Sequence, residues 1–238
     1  MNPQAPPRQA ILVLGITRSG TSALSGALAA MGVDFGRGLK PPDRQNPKGN
    51  FEHFELSRLN QQALALFGLD WSSAAPLPGD WLAREEVRPI RDKIAEILQR
   101  DFGAAALFGI KDPRLVAVWP LYREALAARG CEVTFVTIER AAGEVARSIR
   151  ASGYLHGPDA PGRLAALHRF YMDELDRLVA CHGALRVRHD ALMRDPAGTL
   201  RDLAGRLPFG KAGVAADVAA GAATIDRALH RQRQRRGE

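Results

Sequence analysis

No apolar run of about 18 residues occurs in this 238-residue chain, which excludes a membrane-spanning helix. Cysteine is scarce: Cys131 and Cys181 are the two present, and they have no metal-ligand spacing. A disulfide framework is therefore not expected, and buried or reduced thiols are. The first residues, Met1 to Arg8, carry no signal-peptide core. Together these absences give a cytoplasmic location as the expectation. No internal repeat is present, so the chain is not built as a solenoid.

What is present is ordinary for a globular protein, with 46% hydrophobic and 25% charged residues, so a single core of useful size is expected. The net charge of +7 is uneven. Arg227, Arg231, Arg233, Arg235 and Arg236 crowd the end of the chain, so much of the excess belongs to the tail, read as solvated or disordered rather than as a ligand clamp. Residues 1–9 read as a disordered lead, 10–224 as one domain and 225–238 as the basic tail.

Strand and helix patterns alternate with short polar joins. This predicts an α/β fold of three layers, with a mainly parallel central sheet flanked by helices. Strands are expected at Ala10–Leu14, Ala105–Ile110, Glu132–Ile138 and Ala184–Arg188. Helices are expected at Thr21–Met31, Glu85–Arg100, Leu115–Arg129, Ala141–Arg150 and Arg163–Cys181, and around Leu200–Leu207. Gly36 to Asn50, with three prolines and four basic residues, reads as a mobile basic lip.

The first strand runs into Gly15-Ile16-Thr17-Arg18-Ser19-Gly20-Thr21-Ser22. Two glycines permit a tight loop, and the free N–H groups at a helix opening favour an anion. The loop departs from the nucleotide-triphosphatase pattern G-x-x-x-x-G-K-[ST], because Thr21 stands where that pattern has lysine. The cation is Arg18, inside the loop, where a guanidinium can grip an oxyanion in a fork. A plain strand–turn–helix capped by Ser and Thr is the alternative.

This loop resembles that of sulfotransferases, which grips the 5′-phosphosulfate of 3′-phosphoadenylyl sulfate (PAPS). Further segments resemble the same family in the same order. Lys48-Gly49-Asn50-Phe51-Glu52-His53-Phe54-Glu55 is similar to its glutamate-bearing segment after the first helix. Lys111-Asp112-Pro113-Arg114 is similar to its strand-end turn. Arg140 and Ser148 have the spacing of its 3′-phosphate ligands, although Ala142 stands where the family usually has proline. His189 to Pro196 is similar to a structural segment, with His189 as a packed residue. The C-terminal closing element of the eukaryotic cytosolic members has no match, and Arg227 or Arg231 is the substitute to consider.

The resemblance implies a P-loop NTPase-like sulfotransferase fold and a PAPS-dependent sulfuryl transfer to a hydroxyl or amine, with PAP released and no metal required. It implies cofactor-binding roles for Thr17, Arg18, Ser19, Gly20, Thr21, Ser22, Arg140 and Ser148. It implies charge stabilisation by Arg18 and Lys111. Glu52 is the first candidate for the base and His53 the second. Each has a blander reading: Glu52 as a favourable charge at a helix start, Asp112–Arg114 as a strand-end ion pair, Arg140 as a surface partner of Glu144. A P-loop kinase and a non-catalytic anion- or nucleic-acid-binding protein are the other two functions considered. The acceptor is expected to be a small molecule, glycan or lipid, with no nucleic acid as partner.

Overall fold

The structure, a computed structural model, describes residues 7–155 and 157–226. Its centre is a sheet of four parallel strands: β1 (Arg8–Leu14), β2 (Leu107–Lys111), β3 (Cys131–Glu139) and β4 (Leu185–Arg188), in the order β2-β1-β3-β4. Leu12 lies opposite Ile110 on one side and Phe135 on the other. The expected three-layer α/β arrangement is what forms.

The layers follow from alternation along β1. Ala10, Leu12 and Leu14 face one core and Ile11 and Val13 the other, and all are fully buried. A strand covered on both faces needs an unbroken apolar run, which is why 10–14 shows no polar alternation. The first core is closed by α2 (Phe54–Ala65), α3 (Arg88–Phe102), α4 (Leu115–Val118), α5 (Pro120–Ala128), α6 (Ala142–Ala151) and α7 (Ala160–His182). The second is closed by α1 (Thr21–Ala30), α8 (His189–Arg194), α9 (Pro196–Ala204) and α10 (Val218–Thr224).

Several expectations need correction. The helix expected over 115–129 is two, because Pro120 has no N–H to continue the ladder and instead opens α5. The helix α10 was not anticipated. Its residues, Ala and Gly in the main, carry no large apolar stripe, yet it packs against α1, with Gly221 set against Met31 and the Ala27 carbonyl. Asp217 caps it, its side chain accepting from the Ala220 N–H at 2.9 Å. Both cysteines are free, as one of the two expected states had it, Cys181 exposed and Cys131 half-buried with its thiol pushed up by desolvation. Strand β1 starts at Arg8, inside the stretch expected to be a disordered lead. Ile225, assigned to the tail, is buried in the second core. Arg227, Arg231 and the rest of the arginine run lie outside the described residues. Among the described residues no helix is long and apolar enough to cross a membrane.

Strand β1 has β2 on one side and β3 on the other, so the strand order reverses about β1. In open parallel sheets a crevice opens above the carboxyl ends of the strands at such a point. The loop after β1, the turn after β2 and the start of α6 after β3 all meet there.

Candidate active site

The crevice encloses about 400 Å³ and is lined from all three strand ends, by Thr17, Arg18, Gly20, Thr21 and Ser22 after β1, by Lys111 and Arg114 around β2, and by Arg140 after β3. The loop at 15–20 is shaped by close approach. A Cβ on Gly15 would lie 2.7 Å from Ser19 Oγ and 2.8 Å from the Ile138 carbonyl. Gly20 has φ 105°, and a Cβ there would lie 2.5 Å from the His189 ring. Arg18, between them, also has positive φ, 69°. No side chain caps the start of α1, so the capped-turn alternative does not describe it. Ser19 Oγ is buried with no hydrogen-bond partner, inside the loop.

Arg140 sits where the strand end predicts. Its Nη1 donates to the Arg18 carbonyl at 3.1 Å, and its Nε pairs with Glu144 at 2.8 Å. The ion pair that was the bland reading is thus present, and the guanidinium still faces the crevice. Ser148 Oγ accepts from Arg18 Nε at 3.1 Å, so the two groups expected to share one phosphate are linked through Arg18. Gln45 extends this group: its Oε1 accepts from Arg18 Nη1 at 3.4 Å, and its Nε2 donates to the Ser152 carbonyl at 3.0 Å.

Glu52 is buried at the crevice floor. Its Oε1 accepts from Lys111 Nζ at 2.7 Å and its Oε2 from Lys40 Nζ at 2.7 Å. Burial works to raise its pKa, but the ammonium charges of Lys111 and Lys40, with their hydrogen bonds, outweigh this and hold it at about 2. Lys111 Nζ also donates to Ser22 Oγ at 3.2 Å and to the Asn50 carbonyl at 3.1 Å, joining the β2 end to the glycine loop. Beside it Arg114 grips both oxygens of Asp112 at 2.8 Å, so the strand-end ion pair exists as well.

His53 does not reach the crevice. Its Nδ1 accepts from the Leu56 N–H at 3.4 Å, capping α2, and Nε2 then carries the proton that is donated to Asp101 at 2.8 Å. The second candidate for the base is thereby a buried capping residue. With Glu55 and Asp101, His53 forms the one group among the described residues close enough to share a metal ion, but both carboxylates already pair with Arg100. None of the three lines the crevice.

Other site residues were missed or undervalued. The 36–50 segment, expected to be a mobile lip, is tied down. Lys40 N–H donates to the Glu52 carbonyl at 2.8 Å, and Asp43 accepts from Gln45 N, Asn46 N and Asn50 Nδ2. The residues fixed this way deliver Lys40, Gln45 and the Asn50 carbonyl to the site. Lys48 reaches across to Asp226 at 3.5 Å and to the Thr224 carbonyl at 3.0 Å, closing one rim. Trp71 and Tyr154 form an edge-on aromatic pair 5.7 Å apart on another. His189 is buried as expected, but it packs under Gly20 and lines the crevice.

The sequence matches no protein-family model and no curated protein. Solved structures do match. Sulfotransferase STF1 from Mycobacterium tuberculosis H37Rv is 18% identical with a TM-score of 0.51, over 96% of this chain and 77% of that one. The sulfotransferase domain of the Synechococcus PCC 7002 olefin synthase is 17% identical with a TM-score of 0.53, over 94% of this chain and 80% of that one. The sulfotransferase domain from the curacin biosynthetic pathway is 15% identical with a TM-score of 0.51, over 94% of this chain and 90% of that one. The fold of this chain is the one these sulfotransferases have.

Proposed function

We propose that the protein is a sulfotransferase that moves the sulfuryl group of PAPS to an acceptor hydroxyl or amine and releases PAP. The glycine loop, with Arg18 and the uncapped start of α1, receives the 5′-phosphosulfate. Its fit to an oxyanion is supported by the place of Thr17, Arg18, Gly20, Thr21 and Ser22 in the crevice lining. Arg140, with Ser148, receives the 3′-phosphate. Lys111 offsets charge on the oxygen that leaves sulfur, a role in which fixed charges are effective because they need no reorganisation. Glu52 takes the acceptor's proton. The free thiols suit a reducing compartment, and we place the enzyme in the cytoplasm.

The observation that carries this reading is the 3.1 Å bond from Arg140 to the Arg18 carbonyl. It brings two cationic cradles, from different strand ends, to one crevice, as a nucleotide charged at both ends requires. The test is transfer of label from sulfur-labelled PAPS to pooled hydroxyl and amine acceptors. Glu52→Gln is expected to lower turnover about 10²–10⁴-fold while PAP still binds. ATP turnover with magnesium and no reaction with PAPS would overturn the reading in favour of a kinase.

A further inference from the structure

Glu52 presents a problem as a base, because both of its oxygens are occupied by ammonium groups. A carboxylate held this way is ionised, but an ammonium group stands against each oxygen and it has little appetite for a proton. One lysine has to give way, and the two are not equally free to do so. Lys111 is 3% exposed, and its three protons have three acceptors, Glu52 Oε1, Ser22 Oγ and the Asn50 carbonyl. Lys40 is 29% exposed, comes from the 36–50 segment rather than from the sheet, and among the described residues bonds Glu52 Oε2 and Ser57 Oγ.

We propose that Lys40 is a positioning residue that holds Glu52 in reserve, and that the acceptor takes the place of Lys40 on Glu52 Oε2. This assignment rests on the sulfotransferase reading and extends it by dividing the two lysines, Lys111 to the donor and Lys40 to the acceptor side. Entry of the acceptor hydroxyl moves the Lys40 ammonium off Oε2 and leaves Lys111 on Oε1. The acceptor oxygen then bonds to sulfur as the bond from sulfur to the phosphate oxygen breaks. The acceptor's proton passes to Oε2, and PAP departs with the electron pair of the broken bond. Loss of one of two facing cations makes Glu52 more basic at the moment it is needed. The other charges facing it are Lys111 and, at 3.9 Å, Arg114, whose guanidinium is neutralised by Asp112. Until the acceptor enters, Lys40 on Oε2 keeps Glu52 from taking a proton from water, which would otherwise be the acceptor.

The experiment uses water as a defined acceptor, measuring PAP released from PAPS with no other acceptor present. Lys40→Met opens Oε2 and is expected to raise this hydrolysis about tenfold, with PAP affinity from calorimetry changed less than about twofold. The double variant with Glu52→Gln is expected to lose the gain. Lys40→Leu, which likewise leaves Oε2 without a donor, provides a second variant should Lys40→Met not fold, and its hydrolysis also rises. A readout without donor accompanies this: the melting-temperature deficit of either variant is largest above pH 4.5 and shrinks as pH falls through about 2, where Glu52 of the unmodified protein takes up its proton. Unchanged or lower hydrolysis in a variant that binds PAP overturns the role of Lys40 alone. Failure of the unmodified protein to bind PAP overturns the donor reading and this assignment with it.

Discussion

Among the described residues other than glycine, two have positive φ, Arg18 at 69° and Phe51 at 56°; Arg18 lines the crevice and Phe51 lies between Asn50 and Glu52, which do. Backbone held there costs about 1–3 kcal/mol per residue and persists only where the surroundings fix it. Arg18 is held by Arg140, which donates to its carbonyl, and by its own bonds to Ser148 and Gln45, and Phe51 by packing of its ring over Gly26 and against Phe35, 5.8 Å away. The same confinement makes Gly20 intolerant of change. Gly20→Ala places a methyl against the His189 ring at a φ that disfavours it, and is expected to cost about 1–3 kcal/mol. At about 2–4 °C per kcal/mol for a chain of this size, differential scanning calorimetry resolves the loss. Glu52 gives a prediction with a sign. Its pKa falls from an ordinary 4.5 to about 2 on folding, so its ionised form stabilises the fold by about 3 kcal/mol. That contribution is complete above pH 4.5 and is lost as pH falls from there toward 2. Glu52→Gln should therefore melt well below the unmodified protein at pH 7, with the gap narrowing below pH 4.5 and closing only as pH falls through about 2.

At the scale of elements, the 36–50 segment matters most and was least legible. Its prolines and basic residues read as a solvated loop, and nothing local signals that Lys40 ends on Glu52. That contact depends on the path of the chain from α1 to α2, which two backbone bonds set: Lys40 N to the Glu52 carbonyl, and Phe54 N to the Gly38 carbonyl. The glycine loop was legible because its signal is contiguous: apolar strand, two glycines, helix. Arg140 was legible because strand β3 ends beside it. His53 was misjudged because a histidine next to a candidate base looks chemical, whereas the start of a helix at Phe54 makes it a cap. The break at Pro120 had a readable sign in the proline itself. For α10 the sign was the Asp217 cap, without a periodic apolar face to confirm it. Here packing supplies a test. Gly221→Val brings side chain within 2.6 Å of Met31 Cγ and 3.0 Å of the Ala27 carbonyl. Overpacking of this kind costs about 1–3 kcal/mol, and urea midpoints should fall accordingly. PAP affinity should weaken with it, because α10 abuts α1 and precedes the rim at Thr224 and Asp226.

For the whole molecule, four parallel strands with β1 between β2 and β3 gather the ends of three strands in one crevice, and the charge there is mainly positive. Strand order was not readable from the sequence, since alternating strands and helices are compatible with several orders. The order decides whether Arg18, Lys111 and Arg140 meet. Because they do, PAP should act as a clamp across the strand ends. At 100 times its Kd it should add about 2.7 kcal/mol, a rise in Tm of roughly 5–10 °C. The most direct test is calorimetric titration of PAP into the unmodified protein and into Arg140→Ala, with ATP and magnesium as the comparison. Loss of the charged hydrogen bonds to the 3′-phosphate should weaken PAP about 10–100-fold in the variant, with ATP binding more weakly than PAP to the unmodified protein. Equal PAP affinity in both proteins, or tighter binding of ATP, would contradict the account.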